Sequence, residues 1–553
     1  MKKNVLALSI TAAVVGFGFA GGAQAMTSLG GAAAASDLRM NGDGIGHMLL
    51  VPYYTAQANN VTMINLVNTD TANGKAVKVR FRGAANSDDV FDFQVFLSPG
   101  DVYAFGIKKN AAGLGQIMTA DNSCTKPSKA VLNATPFVTS RLDSALDAGG
   151  KANGTREGYV EIFNMGDIPK GAYSNAAAYT AGTNAGQVTS TTNPNNALYT
   201  AIKHVAKVAP CSGTAWSYLD NSDLAYGTAN APVTSSYAGL TAPTTGLMAN
   251  WIIIDTTNAA AWSRDGVALQ SVATATGVAT TGNVVYWPQT SANVGVATID
   301  SFTADPLLRA ANVSRWNAST LAYVADTIPA VAAAYYDLPD MSTPYTTTGN
   351  TPLRQAWDLT AALAASSATN EFLTDRSIDA KTDWVFSQPT RRYNVSLDYA
   401  AIAAGDDGRR FSDITNTAYA SGYYLQQNTL VTARQICVKG ITTSVWDREE
   451  TNEASLTDVV VSPSTPADPL SFCGEASVLT INRGPVTVAG SGALKAQVSV
   501  KDLDFGQNYV DGWLRLNTPG ATFGGLPVLG SSFYRADSGA QSYGAALQHR
   551  FTR

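Results

Sequence analysis

The sequence predicts a mainly β protein, an immunoglobulin-like β-sandwich with a mixed α/β middle region. Three observations predict it. From Ala76 to Tyr103 the chain reads AVKVRFRGAANSDDVFDFQVFLSPGDVY, two runs of alternating apolar and polar residues around a polar turn. Similar short runs, separated by turn residues, recur towards both ends of the chain. The stretch between them shows helical spacing as well as strand-like runs. Alternation gives a strand one dry and one wet face, which suits an antiparallel sheet. Several such strands at short spacing suggest a sandwich.

Residues 1–25 read as a secretory signal. Lys2 and Lys3 precede the apolar run from Val5 to Ala20, and Ala23-Gln24-Ala25 is a small-x-small cleavage site. The apolar run is shorter than the ~20 residues that span a bilayer, which argues against an anchor. Removing the signal leaves 528 of 553 residues, and loss of the two lysines takes the net charge from −5 to −7. That length exceeds one core and calls for several domains. Residues 26–40 are small and nearly patternless, so they read as a flexible arm. Two readings of the arm follow: a disordered tail without a structural role, or a segment that adds to a sheet edge of a neighbouring subunit through backbone hydrogen bonds.

Residues 41–245 form the N-terminal β-sandwich region, with low-complexity loop insertions at 170–198 and 227–245. Strands are expected at 48–54, 61–67, 76–82, 90–97, 101–107 and 159–163, and a hairpin turn at Asn73-Gly74. Val77, Val79 and Phe81 point to one face, as do Phe91, Phe93, Val95 and Leu97. Phe81 and Phe93 are assigned to the core. Lys78, Arg80 and Arg82 are assigned to the other face, with Lys78 and Arg80 turned to water or a neighbouring subunit. Helical spacing is read over 198–209. In the mixed region, 246–380, a buried strand is expected at 248–257, a hairpin at 267–287 and a helix at 352–366. That helix places Leu353, Trp357, Leu359 and Leu363 near one face. Residues 381–553 read as a C-terminal β-rich region, with Pro389 at a bend or an edge.

Only 14% of residues are charged, and no basic field offers itself to nucleic acid. Four cysteines in an exported chain imply two disulfides. Of three possible pairings, Cys124–Cys211 and Cys437–Cys473 is preferred, because each bridge then stays within one region. Zinc is disfavoured by the lack of CxxC and the scarcity of histidine. The three histidines, His47, His204 and His549, are not framed by a nucleophile, and GxSxG, HExxH and P-loop motifs are missing. No enzyme activity and no organic cofactor are therefore expected. Calcium is the one cofactor that oxygen-rich turns suggest. Its candidate ligands are Asn41 and Asp43 in NGDGIG, the pair Asp88 and Asp89, and the pair Asp406 and Asp407. The NGDGIG stretch lacks the Glu that ends a twelve-residue calcium loop. The final YGAALQHRFTR resembles a closing porin strand, but Thr552 and Arg553 follow Phe551 and spoil a terminal aromatic.

Six segments, taken in order, carry a family resemblance: GIGHMLLVPYYTAQ (44–57), the 76–103 stretch, EGYVEIFNMGDI (157–168), TDWVFSQPTRRYNV (382–395), SFCGEASVLTI (471–481) and GLPVLGSSFYRA (525–536). Together the chain resembles exported proteobacterial cell-surface proteins of S-layer-like type. The resemblance implies a surface location and a β-rich fold, and it brings no catalytic residues. The expected function is structural: self-association into a layer or filament outside a Gram-negative outer membrane. Expected partners are further copies, lipopolysaccharide or another surface protein. The rival readings are a secreted polysaccharide- or lipid-binding protein and, behind it, an outer-membrane barrel or an enzyme acting on surface polymers.

Overall fold

The alternating runs become strands, and their pairing decides everything that follows. A computed structural model describes residues 35–171, 196–220, 239–273, 276–282, 284, 286, 288–289, 313–326, 352–403, 405–412, 423–450, 452–453, 470–482, 490–505, 510–520, 523–539 and 541–553. The signal segment, residues 26–34 of the arm and most of both low-complexity stretches lie outside these.

Twelve strands build the N-terminal sandwich: β1 (Asp37–Asn41), β2 (Met48–Thr55), β3 (Asn60–Asn68), β4 (Asn73–Gly83), β5 (Asp89–Leu97), β6 (Val102–Lys109), β7 (Gly115–Met118), β8 (Cys124–Lys126), β9 (Glu157–Pro169), β10 (Leu247–Asp255), β11 (Ala261–Asp265) and β12 (Val267–Val272). One sheet has the order β1-β12-β2-β9-β4-β5-β8, the other β11-β10-β3-β6-β7, and their pairings are antiparallel. This is more strands than the roughly seven to nine of an immunoglobulin domain. The strands of 247–272, read from sequence as part of the middle region, belong to these sheets.

Phe81 and Phe93 face the core as expected. Phe81 meets Phe105 of the facing sheet edge-on, with ring centroids 6.3 Å apart, and Phe93 meets the same ring at 5.7 Å. Both are fully buried.

Most of the C-terminal strands form a second pair of sheets, while Val395–Leu397 and Arg409–Ser412 join a separate four-stranded sheet with Val313–Asn317 and Ala322–Asp326. One is five-stranded, in the order Val500–Asp504, Ala476–Asn482, Lys381–Ser387, Leu529–Ser538, Gln541–Gln548. The other runs Thr429–Thr432, Gln435–Asp447, Asp511–Asn517, Ser367–Leu373, Arg550–Thr552. The strand Lys381–Ser387 serves two cores. Its Trp384 and Phe386 point into the C-terminal core, while Val385 points into the N-terminal one beside Ala476, Val478 and Phe533. The two sandwiches therefore share a sheet buried on both faces. The described sheets are open, and none closes into a barrel.

The pairing corrects several expectations. Asn73-Gly74 is no hairpin turn, because β3 and β4 lie in different sheets. The chain reverses at 69–72, where the Asp70 carboxylate accepts from the backbone N–H of Ala72 and Asn73 at 2.8 and 3.0 Å. The arm does not stay free to its end: Asp37–Asn41 pairs with β12 of the same chain. That strand takes the edge beside β12, so the hairpin expected over 267–287 reduces to β12 and an isolated bridge from Val272 to Ala279. The 198–209 helix covers only Ala197–Ile202. Ala206 and Lys207 have φ of 51° and 71° and turn the chain back towards Cys124. In the described part of 246–380, a single α-helix, Pro352–Leu363, packs Leu359 and Leu363 against the N-terminal sandwich.

Both disulfides pair in the preferred way, Cys124–Cys211 and Cys437–Cys473, with sequence separations of 87 and 36. They mark a chain that folds in an oxidising compartment. Among the described residues no helix is long and apolar enough to cross a membrane. The protein unfolded without reductant is expected to offer no thiol to a labelling reagent, and labelling of two or more cysteines would refute the bridges. Each bridge should contribute roughly 2–4 kcal/mol by restricting the unfolded chain.

Candidate functional site

The face of β4, β5 and β9 that turns away from the sandwich core was expected to be wet. It is dry, and this is the main correction to the sequence reading. Lys78 and Arg82 are fully buried and Arg80 is 1% exposed. The cover comes from the C-terminal half and Gln289 and, over Phe96 and Gln94, from Trp216 and Tyr286. In all, ten buried charged side chains meet along this seam. Lys78, Arg80, Arg82, Arg391 and Arg392 carry positive charge, and Asp88, Asp89, Asp92, Glu161 and Glu475 negative charge. An isolated ion in such a place is prohibitively costly, and pairing with the opposite sign and with hydrogen-bond donors offsets part of that cost.

The register makes the first contacts, since Arg80 stands opposite Asp92 on one side and Glu161 on the other. Arg80 reaches Glu161 Oε2 through Nε at 2.8 Å and Nη2 at 2.5 Å, and Arg82 Nε approaches the same oxygen at 3.4 Å. Glu161 Oε1 accepts from the hydroxyl of Tyr393 at 3.0 Å. Lys78 Nζ donates to Asp92 Oδ1 at 2.7 Å and to Gln289 Oε1 at 2.8 Å. On the covering side, Arg391 Nη2 lies 2.6 Å from Glu475 Oε2. Arg392 Nη1 donates to the Asn86 carbonyl at 2.9 Å and lies 3.5 Å from Asp88 Oδ1. Burial pushes the Glu475 carboxyl up to about 7, opposed by Arg391 and Arg392.

A strap of residues 490–498 closes one end of the seam. Leu494 and Ala496 enter the N-terminal core. The Leu494 N–H donates to Asp383 Oδ2 at 2.8 Å, and its carbonyl accepts from Asn60 Nδ2 at 2.7 Å. Lys495 Nζ pairs with Asp255 at 2.9 Å. Gly492 lets the strap approach closely, since an added Cβ would meet Asp383 Oδ1 at 2.1 Å and force that carboxylate to shift. Glu157, fully buried, accepts from the N–H groups of Gln497 and Val498 at 2.7 and 2.9 Å.

Burial raises the Glu157 carboxyl from 4.5 to about 8, and these two N–H donors oppose the shift. Between those pH values the folded chain holds a proton that the unfolded chain has lost. Stability therefore falls as pH rises from about 4.5 to about 8, by up to ~1.4 kcal/mol per pH unit for this one group. Asp383, raised by burial to about 6, and Glu475 act in the same direction. Glu157→Gln is expected to flatten this dependence, measured as the urea midpoint at steps from pH 5 to 8. An unchanged slope refutes the assignment.

The six calcium candidates do not converge. Asn41 and Asp43 sit on a turn, where Asn41 Oδ1 accepts from the Asp43 N–H and Asn41 Nδ2 donates to the Ile45 carbonyl. Asp88 and Asp89 belong to the seam: Asp88 Oδ2 accepts from the Tyr399 hydroxyl at 2.7 Å, and Asp89 stands opposite Arg82 in the β4–β5 register. Asp407 pairs with Arg409 at 2.5 Å and Asp406 lies 3.6 Å from Arg410. Among the described residues no three His, Cys, Asp or Glu side chains are grouped to hold a metal ion. His47 is buried and held neutral, its pKa lowered to about 3 by burial and by Lys75, and its Nδ1 accepts from the Ser271 N–H. His549 stacks on Phe386 at 4.4 Å. His204 Nδ1 lies 3.5 Å from Asp101.

Sequence reasoning missed the roles of Arg391, Arg392, Glu161 and Glu475. The signal was the run of three cations on one face of β4, with Asp92 and Glu161 at matching positions of the neighbouring strands. Comparison with known proteins finds no matching family model, no matching curated protein and no matching solved structure.

Proposed function

We propose that the protein is a structural protein of the Gram-negative cell exterior, exported and self-associating into a layer or filament. The observation that supports this reading most is the doubly buried sheet shared by the two sandwiches, braced by the ionic seam. A body built this way resists bending between its halves, which a load-bearing coat subunit needs and a domain-closing enzyme does not. The two disulfides suit life outside the cytoplasm. The partners in this reading are further copies of the chain, with lipopolysaccharide or another surface protein as the attachment.

The test combines abundance and assembly. The protein should be a dominant band in washed cell-surface extracts, and the purified protein should form ordered arrays or filaments by negative-stain microscopy and light scattering, with and without calcium. A scarce protein that stays monomeric at high concentration in both conditions refutes the reading. A second reading, a secreted polysaccharide-binding protein, is favoured by one feature, a pocket at the end of the seam.

A further inference from the structure

We propose that this pocket binds one neutral sugar ring, as a free saccharide or as a unit of a polysaccharide. It lies where the turn after β4, the helix Ala148–Arg156, Tyr399, the hairpin at Ala433–Arg434 and the strap meet. Its volume is about 160 Å³. An engineered cavity of ~150 Å³ accepts benzene, so the space suits a single six-membered ring.

The chemistry of the walls selects the ring. The charges around the pocket are already matched. Arg434 holds Asp143 in a two-pronged ion pair, with Nη2 2.8 Å from Oδ1. Asp88 takes the Tyr399 hydroxyl and lies beside Arg392. A charged ligand would find no uncompensated partner. What the walls offer instead are amide groups. Asn153 uses its Oδ1 on Arg156, Gln435 its Oε1 on Ser499, and Gln497 its Nε2 on the Lys495 carbonyl. The opposite ends of these amides, Asn153 Nδ2, Gln435 Nε2 and Gln497 Oε1, have no hydrogen-bond partner among the described residues. All three residues line the pocket, so their side chains bring amide donors and an acceptor to its rim, and hydroxyls satisfy both kinds. Leu142, Leu146 and Val498 give an apolar wall for the C–H face of a ring.

Two local features run against propensity at this place. The helix Ala148–Arg156 contains Gly149, Gly150 and Gly154, although glycine is the poorest interior helix residue apart from proline. Gly150 and Gly154 lie one turn apart, and both line the pocket. Side chains there would narrow it and crowd Leu146 and Leu142. On the opposite rim, Ala433 and Arg434 have φ of 49° and 60°, a two-residue turn that Asn-Gly would make without strain. Such conformations persist where surrounding contacts hold them, and they gather at binding sites. Here the Arg434–Asp143 pair does the holding.

The experiment is saturation-transfer NMR and titration calorimetry on the disulfide-bonded full chain. The probes are glucose, galactose, N-acetylglucosamine and, as a charged control, glucuronate. At least one neutral sugar should receive saturation, and glucuronate should not. Asn153→Ala combined with Gln435→Ala should raise the Kd at least about tenfold, the loss of two hydrogen bonds, in a variant that still unfolds cooperatively. Should that pair fail to fold, Gln497→Ala at an exposed position is expected to weaken binding in the same sense. No signal from any neutral sugar, equal binding of glucuronate, or full affinity in a folded variant would each overturn the proposal. Failure here leaves the assembly reading standing, since arrays are scored by microscopy without sugar.

Discussion

Glu161→Ala is expected to destabilise the protein by about 3–5 kcal/mol, the cost of leaving a buried charge without its partner. Glu161 is fully buried and holds Arg80, Arg82 and the Tyr393 hydroxyl at once. Its removal takes a carboxylate partner from two buried guanidinium groups at once. Glu161→Gln keeps the shape and removes the charge, so it should recover only part of the loss. Urea unfolding of the three proteins decides the matter. A loss below about 1 kcal/mol for Glu161→Ala would show that water enters the seam and that these charges are solvated after all.

Phe93→Ala is expected to cost about 3–5 kcal/mol as well, by a different route. Phe93 lies in the core between β5 and the facing sheet, with Tyr103 at 6.0 Å and Phe105 at 5.7 Å between ring centroids. Truncation leaves a cavity that strands on both sides are too well paired to fill. Phe93→Leu should cost clearly less, because it keeps most of the volume. The Glu161 loss should shrink at pH or salt conditions that change ionic pairing, and the Phe93 loss should not. An alanine variant at 93 with the stability of the parent would refute its place in the core.

The strands, the core phenylalanines and both disulfides were legible because each rests on short-range rules. Alternation reports which residues share a face, and cysteine spacing limits the loops. What alternation cannot report is what lies against a polar face. Lys78, Arg80 and Arg82 follow the pattern of solvated residues, and residues far along the chain, such as Gln289 on Lys78 and Tyr393 on Glu161, make that face dry. The pocket was illegible for the same reason: Asn153, Tyr399, Gln435 and Gln497 are ordinary polar residues until the fold brings them together. The glycines of Ala148–Arg156 were the one local sign, since a sequence of that kind reads as a loop.

The shared sheet also sets the order in which the molecule can be made. Its strands come from residues 381–387, 476–482, 500–504, 529–538 and 541–548, so the first sandwich lacks part of its core until the last strands exist. Contacts such as Asn60 to Leu494 close a loop of 434 residues. Loops of that length carry their entropic cost before any burial rewards it, and folding dominated by them is slow. The N-terminal sandwich can pair its own twelve strands early, but its core stays incomplete on one side until Val385, Ala476, Val478, Leu494 and Phe533 arrive.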